Sequence, residues 1–162
     1  MLKQSSLNEM QKPRIDKILF DQTADLFDND QIGLKIFFDD LLDECDTDVR
    51  QLHYLLELYT PSKPADLSMT PPATQCTKES TCEMDWRLVD RYAHRLKGKA
   101  SQVGFAALSG AASHAVILAR SPHGNLCSAK CCQELSSIIK SIDVEMKEVI
   151  DFIHTYIQSR ST

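Results

Sequence analysis

The side chains best suited to chemistry gather in one short stretch, "YAHRLKGKASQVGF", residues 92–105. It places a histidine, His94, among Arg91, Lys97 and Gly98. Read as a helix at about 100° per residue, His94 has Asp90, Arg91, Lys97 and Gly98 as neighbours at three and four positions, and Ser101 at seven. The apolar residues Val89, Ala93, Leu96, Ala100 and Val103 recur at helical spacing and define a core stripe, which Trp86 extends upstream. His94 therefore belongs to the solvent side. Glycine inside a helix costs about 1 kcal/mol relative to alanine, so Gly98 asks for a reason. One turn past His94 on the same face, it clears the space over the imidazole. An accessible imidazole, an open approach and nearby positive charge suit an incoming phosphoryl group, whose oxygens stay negative through transfer. A ring nitrogen can attack as nucleophile and hold that group covalently. Spacing alone leaves open the plainer reading of an exposed histidine on a solvated helix face.

The elements that must position these residues are helical. The chain has 162 residues, suiting one domain, with 43% hydrophobic and 25% charged residues. That is long enough to bury a core without metal or disulfide staples. A net charge of -5 argues against a general nucleic-acid binder. The polar start "MLKQSSLNEMQKPRIDK" does not read as a secretory signal, and no run is long and apolar enough to span a membrane. Glycine is scarce and strand-like alternation nearly absent. Periodicity predicts helices over about 13–27, 31–59, 83–103, 106–120 and from 128 onward. Pro13 is placed in the first turn of the first, and "DND" (28–30) breaks it from the second. The second carries an expected stripe of Ile32, Ile36, Phe37, Leu41, Cys45, Val49, Leu52, Leu56 and Tyr59, with the acidic run "DDLLDECDTD" as a solvated face. The fifth carries Leu135, Ile138, Ile142, Met146, Val149, Phe152, Ile153 and Tyr156, with Ser128 as its cap. Residues 60–82, rich in Pro, Ser and Thr, read as a flexible insertion. The expected organisation is an N-terminal segment, 1–12, followed by one domain over 13–160. The expected fold is all-α: an up-and-down four-helix bundle with an additional N-terminal helix.

The six cysteines, Cys45, Cys76, Cys82, Cys127, Cys131 and Cys132, make no CxxC pair. They read as reduced thiols of a cytosolic or nuclear protein, and no metal site is expected.

The stretch "HRLKGKASQVG" resembles the signature of histidine-containing phosphotransfer (HPt) domains. That signature runs His, any residue, Leu, Lys, Gly, usually two serines, then an aliphatic residue before a second glycine. His94, Leu96, Lys97, Gly98, Val103 and Gly104 match it in order and spacing, and the resemblance extends over about 14–158. It is nearest to the stand-alone eukaryotic proteins of plant and fungal type. The resemblance implies a monomeric, cytoplasmic and nuclear phosphoryl carrier rather than a classical enzyme, with no kinase activity. Its partners would be receiver domains of hybrid histidine kinases and response regulators, not nucleic acid or membrane. It implies no cofactor of the chain's own, Mg²⁺ being supplied by the receiver. His94 would be the phosphoacceptor, Lys97 would hold the phosphoryl group and Gly98 would keep the approach open. Arg91, Lys99 and Ser101 are candidates for phosphate or docking support. The chain departs from the pattern at Lys99 and Ala100, where small hydroxyl residues usually stand. Lys99 leaves an alternative open: a transfer-impaired module that binds and sequesters receivers.

Overall fold

The computed structural model describes residues 14–59, 84–121 and 128–160. Within them the chain is all-helical. Five helices run in order, α1 (Lys17–Asp25), α2 (Gln31–Tyr59), α3 (Trp86–Gln102), α4 (Ala106–Arg120) and α5 (Ser128–Arg160), with no strand among the described residues. Helix α2 packs on α3 and α5, and α4 packs on the same two. The expected insertion at 60–82, the segment 1–12, Pro13, Cys76, Cys82 and Cys127 lie outside the described residues.

Three aspartates fix where helices begin. Asp16 caps α1, its carboxylate accepting from the backbone N–H groups of Ile18 (3.1 Å) and Leu19 (3.3 Å). Asp30 accepts from Gly33 N–H at 2.9 Å just before α2. Asp85 accepts from Arg87 (3.1 Å) and Leu88 (3.2 Å) at the start of α3. Each pairs backbone donors that the helix itself leaves unsatisfied. This moves two expected starts. Helix α1 opens at Lys17 rather than near residue 13, and α3 at Trp86 rather than near 83. Between α1 and α2, Asp28 takes a left-handed backbone (φ 48°), which aspartate tolerates better than most residues.

The core is built around Phe20 of α1, fully buried. Its ring stacks on Phe38 of α2 at 5.2 Å and meets Phe152 and Tyr156 of α5 edge-on at 4.8 Å. Phe105, at the turn into α4, lies 6.1 Å away. Aromatic pairs in such offset and edge-on arrangements add about 0.5–1.5 kcal/mol each beyond area burial. One side chain of the shortest helix thus ties α1 to α2, α5 and the α3–α4 turn. The expected α3 stripe is buried throughout: Val89, Ala93, Leu96, Ala100 and Val103.

The expected α2 stripe is wrong in its first two turns. Ile32 and Ile36 are exposed, at 75% and 56%, and Leu34 and Phe38 are buried instead. "QIGLKIFF" is apolar on both faces, so periodicity could not choose the phase. The Phe38 contact with Phe20 chooses it. From Cys45 through Val49 and Leu52 the expected and observed stripes agree. On α5, Leu135, Ile142, Met146, Val149 and Ile153 are buried as expected. Ile139 takes the core place expected of Ile138, which is only partly buried.

Candidate functional site

The α3–α4 hairpin sets the site. Its turn depends on Gly104, whose φ of +83° lies in the region that favours glycine. A Cβ there would stand 2.5 Å from the Asp16 carbonyl oxygen. The N-terminal end of α1 occupies that space: Asp16 N–H donates to the Gly104 carbonyl at 2.6 Å, and Ala107 N–H to the Arg14 carbonyl at 3.0 Å. A few turns back along α3, the Ser109 hydroxyl donates to the Lys97 carbonyl at 3.4 Å. The turn that ends the His94 helix is thereby tied to α1, and the helix itself to α4.

His94 is exposed and faces away from the buried stripe of Ala93, Leu96 and Ala100. Its imidazole has no hydrogen-bond or ion-pair partner among the described residues. Lys97 is half-buried rather than fully exposed, and its ammonium also has no carboxylate partner among them. The nearby carboxylate on the same face, Asp90, is taken by Arg120 of α4 (Nε to Oδ1, 2.8 Å). Positive charge beside His94 is therefore not quenched by its own helix. Arg91 and Ser101 are exposed on this face.

Gly98 gives a sharper result. A Cβ built at Gly98 meets nothing within 4 Å. The fold itself gains nothing from glycine here, in contrast to Gly104, yet bears the helix cost of about 1 kcal/mol. A Cβ at Gly110 of α4 would meet nothing either; what sets Gly98 apart is its place one turn from His94 on the same face.

Lys99 does not stand at the rim of this face. Its ammonium turns onto α2, 3.0 Å from Glu44 Oε2 and 3.0 Å from Asp48 Oδ2. Asp48 is fully buried, and its other oxygen lies 3.4 Å from Arg95 without a well-formed hydrogen bond. Burial opposes the charge on Lys99, but the bonds to Glu44 and Asp48 outweigh it and raise its pKa. The acidic run of α2 is thus not wholly a solvated face. Asp48 sits three residues after Cys45 and four before Leu52, on the buried stripe. That spacing was the available signal for it.

Exposed apolar side chains include Ile18 on α1, Leu26 just past its end, and Ile32 and Ile36 at the start of α2, with Tyr54, Leu58, Ile117 and Val144 on other stretches. A separate groove of about 420 Å³ between α2 and α5 is lined by Asp39, Leu42, Asp43, Asp46, Ile150 and His154, and includes no residue of α3. No three potential metal ligands converge among the described residues. Cys45 is buried, and burial pushes its thiol up to about 11, far from a reactive thiolate. No helix of the described residues is long and apolar enough to cross a membrane. Compared with protein-family models, curated proteins and solved structures, the chain finds no match.

Proposed function

We propose that the chain is a histidine phosphotransfer protein of a multistep phosphorelay, built as an up-and-down four-helix bundle of α2 to α5 with α1 added at the N-terminus. Its packing partners support that arrangement, since α2 and α4 each touch α3 and α5. His94 accepts a phosphoryl group from a receiver-domain aspartate and passes it to the receiver of a response regulator. In the first step a lone pair of an imidazole nitrogen attacks phosphorus. The N–P bond forms, the acyl P–O bond breaks, and the aspartate leaves as carboxylate. The second step reverses this toward another aspartate. Lys97 holds the phosphoryl oxygens as charge redistributes, and Mg²⁺ comes with the receiver. The exposed apolar residues of α1 and α2 suit a transient protein contact with an apolar centre.

The observation that carries this reading is the conjunction at one point of α3. Among the described residues, an imidazole and an ammonium one turn on, both without partners, share one face with a helical glycine whose Cβ would meet nothing. Gly110 of α4 is equally open, so the glycine supports the reading by its place one turn from His94 rather than by its openness. The alternative of a transfer-impaired module rested on Lys99, and Lys99 is engaged with α2.

The test is incubation with a receiver domain carrying labelled aspartyl phosphate. The chain should acquire acid-labile label, and His94→Gln should acquire none. Equal labelling of His94→Gln would remove the proposal. Binding of the receiver without any exchange would select the sequestering module instead.

A further inference from the structure

The exposed side of α3 carries more charge than phosphoryl transfer at His94 uses. Arg87, Arg91 and Arg95 stand four residues apart and are all exposed. At about 100° per residue they form a ridge that climbs the helix beside His94, offset from it by about 20°, 60° and 100°. Arg87 and Arg91 have no carboxylate partner among the described residues. Arg95 approaches only the buried Asp48, at 3.4 Å, and keeps 47% of its side chain exposed. Several exposed cations elsewhere are neutralised locally. Lys17 pairs with Asp21, Lys35 with Asp39, Arg50 with Asp46 and Arg120 with Asp90. The exposed lysines of α5, Lys130, Lys140 and Lys147, show that unpaired cations also occur elsewhere. They are lysines, however, and the ridge is all arginine. A guanidinium fork fits a carboxylate through two parallel hydrogen bonds, which an ammonium cannot do.

The surroundings select what can land there. Helix α2, packed beside α3, carries seven carboxylates and two cations. A polyanion as extended as a nucleic acid would run onto it, whereas a compact acidic surface would not. We infer that the Arg87–Arg91–Arg95 ridge is a docking rail for a protein whose contact surface is acidic. It sets which partner reaches His94 and in which orientation. This rests on the carrier reading for the identity of that partner: an aspartyl phosphate transferred with Mg²⁺ lies among carboxylates, because carboxylate oxygens hold that ion. The rail goes beyond that reading by giving three arginines, none of them used in the transfer steps written above, the work of partner choice. Such charges act on encounter and register more than on the reacting centre.

The experiment uses the full chain and a receiver domain carrying labelled aspartyl phosphate, with rates measured against receiver concentration at low and high salt. Arg87→Ala combined with Arg91→Ala should raise the half-saturating receiver concentration about tenfold at low salt. The maximal rate of Arg87→Ala alone, two turns from His94, should stay unchanged, and the salt dependence of the pair should flatten. Lys140→Ala combined with Lys147→Ala removes the same charge on α5 and should leave both as in the wild type. Arg87→Lys with Arg91→Lys keeps the charge but loses the fork, and should fall between. An equal effect from the α5 pair, or none from the arginine pair, overturns the rail. Calorimetric binding of the receiver to His94→Gln separates this from the carrier reading. Binding that depends on the arginines, without any labelling of the wild type, leaves the rail standing and removes the carrier. Labelling indifferent to the arginines does the reverse, and no binding removes both. Arginine-dependent binding of duplex DNA or RNA, or arginine-dependent self-association in sedimentation, would overturn the acidic-protein occupant.

Discussion

Two glycines about 9 Å apart along a helical rise would look alike in sequence, but Gly98 and Gly104 answer to opposite demands. Gly104 adopts φ +83° with the Asp16 carbonyl where a Cβ would stand. Gly104→Ala should therefore cost about 1–3 kcal/mol, and more if α1 must move. Gly98 has open space in place of a Cβ. Gly98→Ala should stabilise the chain by about 0.5–1 kcal/mol, while a methyl beside the imidazole slows phosphoryl transfer roughly tenfold or more. Thermal denaturation and the transfer assay, run on both variants, should move in opposite senses for Gly98→Ala. A variant that is both more stable and fully active would show that the glycine serves no approach. Lys97→Ala should slow transfer roughly 10–100-fold by removing a donor from the moving charge, with little change in melting. Lys99 behaves differently. Lys99→Ala strands the buried Asp48 with only a distant Arg95, and should cost about 3 kcal/mol. Because the folded-state pKa of Lys99 is raised, its stabilisation is complete below the ordinary lysine value and is lost as pH rises through the folded one. Denaturation midpoints of wild type and Lys99→Ala should thus converge only above about pH 10.5. At this scale the shared helix face of His94, Lys97 and Gly98 was legible from spacing. The partner of Lys99 was not, because it lies on another helix and is an aspartate inside an acidic run.

Helices were easier to place than their faces. The limits of α2 and α4 and the whole buried stripe of α3 follow from periodicity. The starts of α1 and α3 do not, because a cap aspartate rather than an apolar period sets them. The phase of α2 failed where its sequence is apolar all round. There the Phe20–Phe38 contact turns Leu34 and Phe38 inward and leaves Ile32 and Ile36 in solvent. That error carries functional information. A pair of isoleucines one turn apart, kept exposed as Ile18 and Leu26 are, is apolar surface the core does not claim. Ile32→Ser with Ile36→Ser should change stability by no more than about 0.5 kcal/mol per site. The same pair should weaken receiver binding several-fold without altering the maximal transfer rate. Phe38→Ala, two residues from Ile36, should instead cost about 3–5 kcal/mol. If the isoleucine pair destabilises the chain as Phe38→Ala does, the observed phase of α2 is wrong. If it leaves binding untouched, the apolar surface is not the contact.

For the whole molecule the open matter is what α1 does, since the sequence presents it only as an extra helix. Its nine residues would be marginal alone. They hold because Phe20 reaches α2, α5 and the α3–α4 turn at once. At the other end, the backbone of residues 14–16 is hydrogen-bonded to Gly104 and Ala107. Core burial and hairpin geometry are thereby coupled through a short segment. Loss of the Phe20 ring should release both. Phe20→Ala should cost about 3–5 kcal/mol, and its local signature should appear first at the hairpin turn. Hydrogen exchange at the Asp16 and Ala107 amides, whose acceptors belong to the opposite segment, should accelerate at least as much as global unfolding requires. Under conditions where the variant remains folded, the mid-α3 amides around His94, bonded within their own helix, should stay slow. Transfer would then persist at reduced stability, because the imidazole, Lys97 and Gly98 share a helix whose own bonds survive. Equal acceleration at His94 and Ala107 would mean instead that α1 holds α3 itself in shape. In that case the N-terminal helix would be part of the scaffold of His94 rather than a clamp on the α3–α4 turn.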